Sequence, residues 1–164
     1  HSAITGTIIG VDLYAKYLSR SEAKLLENKP DLYMFDGNGY LHPRHMGIAA
    51  HASFYLDAPT IGVAKTYFRV EKGLDYTEPN ISAGSYTDIE LNGEVYGRVL
   101  RTHNGVKPVF VSVGNNISLD TAVKITLDMI DEESRIPIPT RLADLETHKM
   151  RAVLSGDQSD VFEI

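Results

Sequence analysis

The stretch Phe35 to His51, FDGNGYLHPRHMGIAAH, sets Asp36 at the end of a short apolar run, follows it with Gly37 and Gly39, and then supplies His42 and Arg44. Asp12, which closes the run from Ile4 to Val11, stands at the equivalent place on another candidate strand. An aspartate at a strand tip can be a cap or a loop former. Two neighbouring carboxylates, however, repel and resist joint ionisation unless a cation lies between them, and that pairing suits magnesium ligands. Asp144, in RLADLETH, offers a third acid from a late helix, where Arg141, Asp144, Leu145 and His148 share one side through their spacing. Three acids from three elements suit phosphodiester hydrolysis, in which two cations about 4 Å apart stabilise the attacking and leaving oxygens. The bland alternative for Asp144 is a solvated face on which it or Glu146 pairs with arginine.

Cationic groups cluster around the same acids. Lys65 ends the run TIGVAK, so its ammonium reaches the same sheet edge as Asp36 and can stabilise developing charge; otherwise it is a surface lysine with a buried stem. His42, so near Asp36, has the chemistry to orient or protonate a phosphate group, although a lone histidine is usually a structural hydrogen bonder. Arg44 can fork onto phosphate. Gly37 and Gly39 are turn residues or, at a crevice, places where backbone approaches a flat ligand closely. No lysine follows them at the spacing of a P-loop. His45, His51 and His103 carry no comparable signal, and Tyr33, Tyr55, Tyr86 and Tyr96 read as core or sheet-face aromatics.

The elements that must position these groups alternate in the first half. ITGTIIGVDLY reads as a buried strand ending at Asp12, YLSRSEAKLLENKP as a helix stopped by Asn28 and Pro30, and DLYMFD as a second strand. MGIAAHASFYLD reads as a helix with Met46, Ala49, Ala50, Ser53 and Leu56 inward, and PTIGVAK as a third strand. Such alternation predicts parallel pairing with both faces covered. YTDIELNGEVYGRVLRT then predicts an antiparallel hairpin about Asn92-Gly93, a dipeptide that supplies the positive φ angles of a type I′ turn. KPVFVSVG follows as a strand, SLDTAVKITLDMID as a helix capped by Ser118 with Leu119, Ala122, Val123 and Ile130 inward, and TRLADLETHKMRAVL as a last helix before a fraying tail from Ser155. The fold class expected is α/β, with a mixed sheet flanked by helices.

Bulk composition narrows the functions. The 164 residues, 43% hydrophobic, fit one globular domain. No run is long and apolar enough for a membrane span and no signal-peptide layout opens the chain, so a cytoplasmic location is expected. With no cysteine, any metal must sit on oxygen or imidazole. The 16 Lys and Arg against 22 Asp and Glu give a net charge of -6, which is poor for holding nucleic acid by bulk charge. A nucleic-acid enzyme of this composition needs a local basic lining or metal ions.

These residues together resemble the endonuclease V family, nucleases that cut nucleic acid beside deaminated adenine. DLYMFDGNGYLHPRHMGIAAHASFYLDAPTIGVAK looks like the family's central block, and VFVSVGNNISLDTA and RIPIPTRLADLETHKMR are similar to its later blocks, in order, from about Asp31 to Arg151. The resemblance implies a ribonuclease H-like fold, dependence on magnesium or manganese, and hydrolysis of the second phosphodiester 3′ to inosine in DNA, with RNA left open. It matches Asp36 and Asp12 to metal-binding and catalytic aspartates, Asp144 to the late acidic position, His42 to the motif histidine and Lys65 to the catalytic lysine. Gly37 and Gly39 match backbone that lines the pocket for a flipped base. The front end departs from the pattern. Only Tyr14 to Lys29 separates IIGVDL from the central block, so the hairpin and aromatic wedge have no counterpart, and YLSRSE leaves Glu22 as the counterpart of the glutamate ligand in a shortened or partly missing amino-terminal region.

Two other functions fit the same residues. One is a module that grips inosine-bearing strands without cutting them, because its metal site lacks a ligand. The other is a nucleotide phosphohydrolase on a similar sheet.

Overall fold

The computed structural model describes residues 30–155. The expected strand ending at Asp12, the following helix with Glu22, and the tail beyond Ser155 lie outside the described residues. Five strands and three helices follow in the order β1 (Tyr33–Asp36), α1 (Ile48–Leu56), β2 (Thr60–Ala64), β3 (Tyr86–Leu91), β4 (Glu94–Leu100), β5 (Val109–Asn115), α2 (Leu119–Asp128) and α3 (Ile138–Ser155). The sheet order is β1-β2-β5-β4-β3. The β1–β2 pair is parallel, as the intervening helix requires, and every other pair is antiparallel. This is the mixed α/β sheet expected. Among the described residues no helix is long and apolar enough to cross a membrane.

Local sequence explains most of the elements. TIGVA is buried along its whole length, as a central strand covered on both faces must be. Asn92 and Gly93 take φ values of 54° and 82°, the positive pair that twists β3 and β4 into register. Ser118 caps α2 by accepting the Thr121 N–H at 3.2 Å, and Ala122 and Val123 are buried beneath that helix. Of the residues expected inward, Ile130 lies beyond the end of α2, and Met46 is 41% exposed. Helix α1 begins only at Ile48, after Gly47, so helical spacing does not govern Met46.

Strand parity distributes the core. Tyr33 and Phe35 pack with Ala52 and Leu56 of α1 on one face, whereas Met34, Ile61 and Val63 pack with Ala122 and Val123 of α2 on the other. Asp36 has the parity of Met34 and Lys65 that of Val63. Both charged side chains therefore leave the strand ends on the face opposite α1.

The loop after β1 crosses back over the α1 face. Gly37 N–H donates to Val63 O at 3.3 Å, Gly39 N–H to Ser112 Oγ at 2.8 Å and Tyr40 N–H to Val113 O at 2.7 Å, so the loop traverses β2 and reaches β5. Gly62 makes that crossing possible: a Cβ there would lie 2.6 Å from both Gly37 O and Gly39 N.

Candidate active site

At the carboxyl end of β2, one residue beyond the strand, the Lys65 ammonium joins two acids from different layers. Its Nζ lies 2.8 Å from Asp36 Oδ2 at the tip of β1 and 2.9 Å from Asp144 Oδ2 on α3. The three side chains are 32%, 25% and 42% exposed, so the cluster is open to solute yet partly removed from water. Burial alone would lower the Lys65 value, but hydrogen bonds and charge from the two carboxylates outweigh it and hold the ammonium above its ordinary range. Asp144 is fed into place by the start of α3. Arg141, one turn earlier, pairs with Asp131 and, at 2.9 Å, with Glu133, which ties that turn to the preceding loop. His148, one turn later, approaches Asp144 Oδ1 at 3.8 Å.

The loop from Gly37 to Gly47 builds the second part of the site. His42 Nδ1 accepts the Arg44 backbone N–H at 3.3 Å, so the neutral ring carries its proton on Nε2. Burial, helped by the charges of Arg44 and His45, lowers the His42 value below the ordinary one. Arg44 is solvent-exposed. His42 borders a cavity of about 390 Å³ together with Asn38, Met46, Gly47, Ile48, His51 and Phe68. Gly37 and Gly39 flank Asn38 rather than line the cavity themselves; Gly39 is buried, and a Cβ on it would collide with the Val113 carbonyl. They carry Asn38 into the wall. The His45 ring, in a residue with φ of 50°, stacks on Tyr40 at 4.3 Å and meets Tyr96 at 5.2 Å, and the Tyr40 hydroxyl donates to Glu94, which fixes the far side of the loop.

The structure thus brings together Asp36, Lys65 and Asp144, and sets His42 with Arg44 on a separate cavity loop. Asp12 and Glu22 lie outside the described residues. Sequence reasoning passed over His51, Asn38 and Phe68. The only signal for His51 was its position three residues after Ile48 on α1, and Phe68, 54% exposed, had none.

Comparison with known proteins bears on this arrangement directly. The Endonuclease V family model matches residues 16–145. Endonuclease V of Bacillus subtilis (strain 168) is 60% identical over 129 residues, covering 79% of this chain and 54% of the relative. That of Bacillus thuringiensis subsp. konkukian is 62% identical over 131 residues, covering 80% and 55%. The chain spans about half the length of these curated relatives. Among solved structures, Endonuclease V of Bacillus subtilis superposes with a TM-score of 0.79 at 55% identity over 85% of this chain and 58% of that one. Ciona intestinalis Endonuclease V, solved with a 24-mer DNA containing an inosine followed by a ribo-adenosine, gives 0.68 at 29% identity over 82% and 62%. A family match that runs from residue 16 to residue 145, and so through Asp36, Lys65 and Asp144, places this chain in the endonuclease V family.

Proposed function

We propose that this chain is the catalytic portion of a metal-dependent endonuclease that hydrolyses the second phosphodiester 3′ to inosine in DNA, with RNA as a further substrate to be tested. The observation that carries this reading is the Lys65 ammonium held between Asp36 and Asp144. Two carboxylates that converge on one positive charge form a hard-oxygen donor set, and such a set fits magnesium or manganese. Asp36 and Asp144 would hold the metal, with Asp12 and Glu22 as further carboxylates from the amino-terminal segment. When bound, the metal supplies charge neutralisation at the scissile phosphate and an activated water.

The remaining roles belong to side chains. Lys65 sits partly desolvated with its charge secured, so it can stabilise negative charge that develops on phosphate oxygens. His42, neutral with its proton on Nε2, can donate a hydrogen bond to a phosphate or base edge from the cavity wall. Arg44 offers a fork for backbone phosphate. The open cavity beside His42 has room to admit a purine taken out of the stack, and Gly37 and Gly39 hold its loop close against the sheet. With a net charge of -6, affinity comes from this local footprint rather than from broad duplex contact. The DNA complex of the Ciona relative supports an inosine-bearing strand as the partner.

The test is gel-resolved cleavage of a labelled oligonucleotide with a single inosine, beside an inosine-free twin, with magnesium, with manganese and with chelator. The expected result is a metal-dependent cut one nucleotide past the lesion. Binding without cleavage under every condition would reject the nuclease reading in favour of a lesion-binding module, and turnover of free inosine nucleotides alone would favour a phosphohydrolase.

A further inference from the structure

Lys65 lies just past the last rung of the β2–β5 ladder, the Ala64–Phe110 pair. Strand alternation sets the side on which its side chain leaves, but Lys65 itself is no longer a paired residue of the sheet. On the other strand the ladder gives way to Pro108, which has no N–H to offer. Arg135 spans this gap. Its guanidinium donates to the Pro108 carbonyl at 2.9 Å and to the Lys65 carbonyl at 3.3 Å, so one planar group ties together two chain segments beyond the end of the ladder. Arg135 is anchored in turn. Its own carbonyl accepts the hydroxyl of buried Thr102 at 2.9 Å. Burial lowers the guanidinium value, as expected for a charge met by peptide dipoles in a partly dry position.

We propose that Arg135 is a positioning residue for Lys65, holding the Lys65 carbonyl so that the ammonium projects between Asp36 and Asp144. The role of Lys65 in cleavage rests on the function proposed above; the placement of its ammonium does not. Lysine at position 135 keeps the charge but cannot fork across two carbonyls, so Arg135→Lys separates geometry from electrostatics.

The experiment uses the full chain, labelled with nitrogen-15, in wild-type and Arg135→Lys forms. The Lys65 ammonium signal is assigned by its disappearance in Lys65→Met. In the wild type, carboxylate contacts slow its exchange with water enough for detection. In Arg135→Lys the expected result is a cooperative melting transition, loss or broadening of that one ammonium signal, and a fall in kcat of at least tenfold on the inosine oligonucleotide at unchanged KM. An unchanged Lys65 signal in folded Arg135→Lys, or a raised KM at unchanged kcat, would overturn the proposal. If Arg135→Lys does not fold, Thr102→Val is read instead: it loosens the Arg135 backbone, the same signal must weaken, and an unchanged signal again overturns the proposal. A wild-type chain that does not cut the oligonucleotide sinks the proposed function, while the ammonium signal still decides the role of Arg135.

Discussion

Asp36 and Lys65 meet at 2.8 Å because they leave two parallel strands on the same face. Asp36 is in register with Val63, and Lys65 lies two residues further along the chain, one past the end of β2, where strand alternation returns the side chain to the side of Val63. A register slip of one residue would send one of the two toward α1 and break the Asp36–Lys65 pair. The charged cluster thus depends on sheet register as strictly as the core does.

Replacing Lys65 by methionine removes the positive charge that Asp36 and Asp144 share in this structure. The two carboxylates then attract a divalent cation without competition. The expected outcome is tighter manganese binding by calorimetric titration, together with loss of inosine-directed cleavage by about a hundredfold or more. Unchanged or weaker metal affinity would show that the ammonium does not compete for those oxygens. The pair is partly exposed, so the stability change should stay within about 1 kcal/mol.

The same pairing has a defined pH signature. The Lys65 value in the folded chain is raised above the ordinary 10.5, so its stabilisation is complete below that pH and is lost as pH rises through the higher folded value. The difference in melting temperature between wild type and Lys65→Met should stay constant through neutral pH and shrink only in the alkaline range. A difference that instead collapses near neutrality would contradict the ion pairs.

His42 should titrate in the opposite sense. Its folded value is lowered from 6.5, by burial first and then by Arg44 and His45, so the unfolded chain takes up the proton more readily. His42 therefore costs no stability above that pH and begins to cost it as pH falls below 6.5. A proton NMR titration should give a His42 midpoint below the ordinary one, with the Arg44 amide shifting in step as Nδ1 ceases to accept. An Arg44 amide that ignores the titration would remove the hydrogen bond from the account.

Gly62→Ala tests the loop crossing. A methyl group there would meet two backbone atoms of the Gly37–Gly39 segment at 2.6 Å, and backbone yields less readily than a flexible side chain. We expect a loss of about 1–3 kcal/mol in urea unfolding, the range for overpacked sites. Cleavage should fall with it, because the displaced segment carries Asn38 and follows directly on Asp36. Wild-type stability in this variant would mean that the loop does not lie against β2.

Local chemistry made much of the fold legible. The β-branched TIGVA run, the Asn92-Gly93 turn and the Ser118 cap each act within a few residues, and the structure forms all three. Lys65 and Asp36 could be placed at one edge by strand logic alone. Asp144 could not, since its contact with Lys65 bridges 79 residues and depends on how α3 lies across the sheet. The cavity escaped for a similar reason: Asn38, His51 and Phe68 come from one loop, a helix and a second loop with no shared periodicity. Arg135 was invisible because its partners are main-chain carbonyls, which no side-chain pattern reports.

The distance in sequence between Lys65 and Asp144 also sets when the site comes into being. A chain still emerging from the ribosome has made β1 and β2 long before α3, so it holds Asp36 and Lys65 while Asp144 is still unsynthesised. Under the proposed function, a nascent polypeptide is harmless to the nucleic acid around it until α3 docks and brings Asp144 to Lys65.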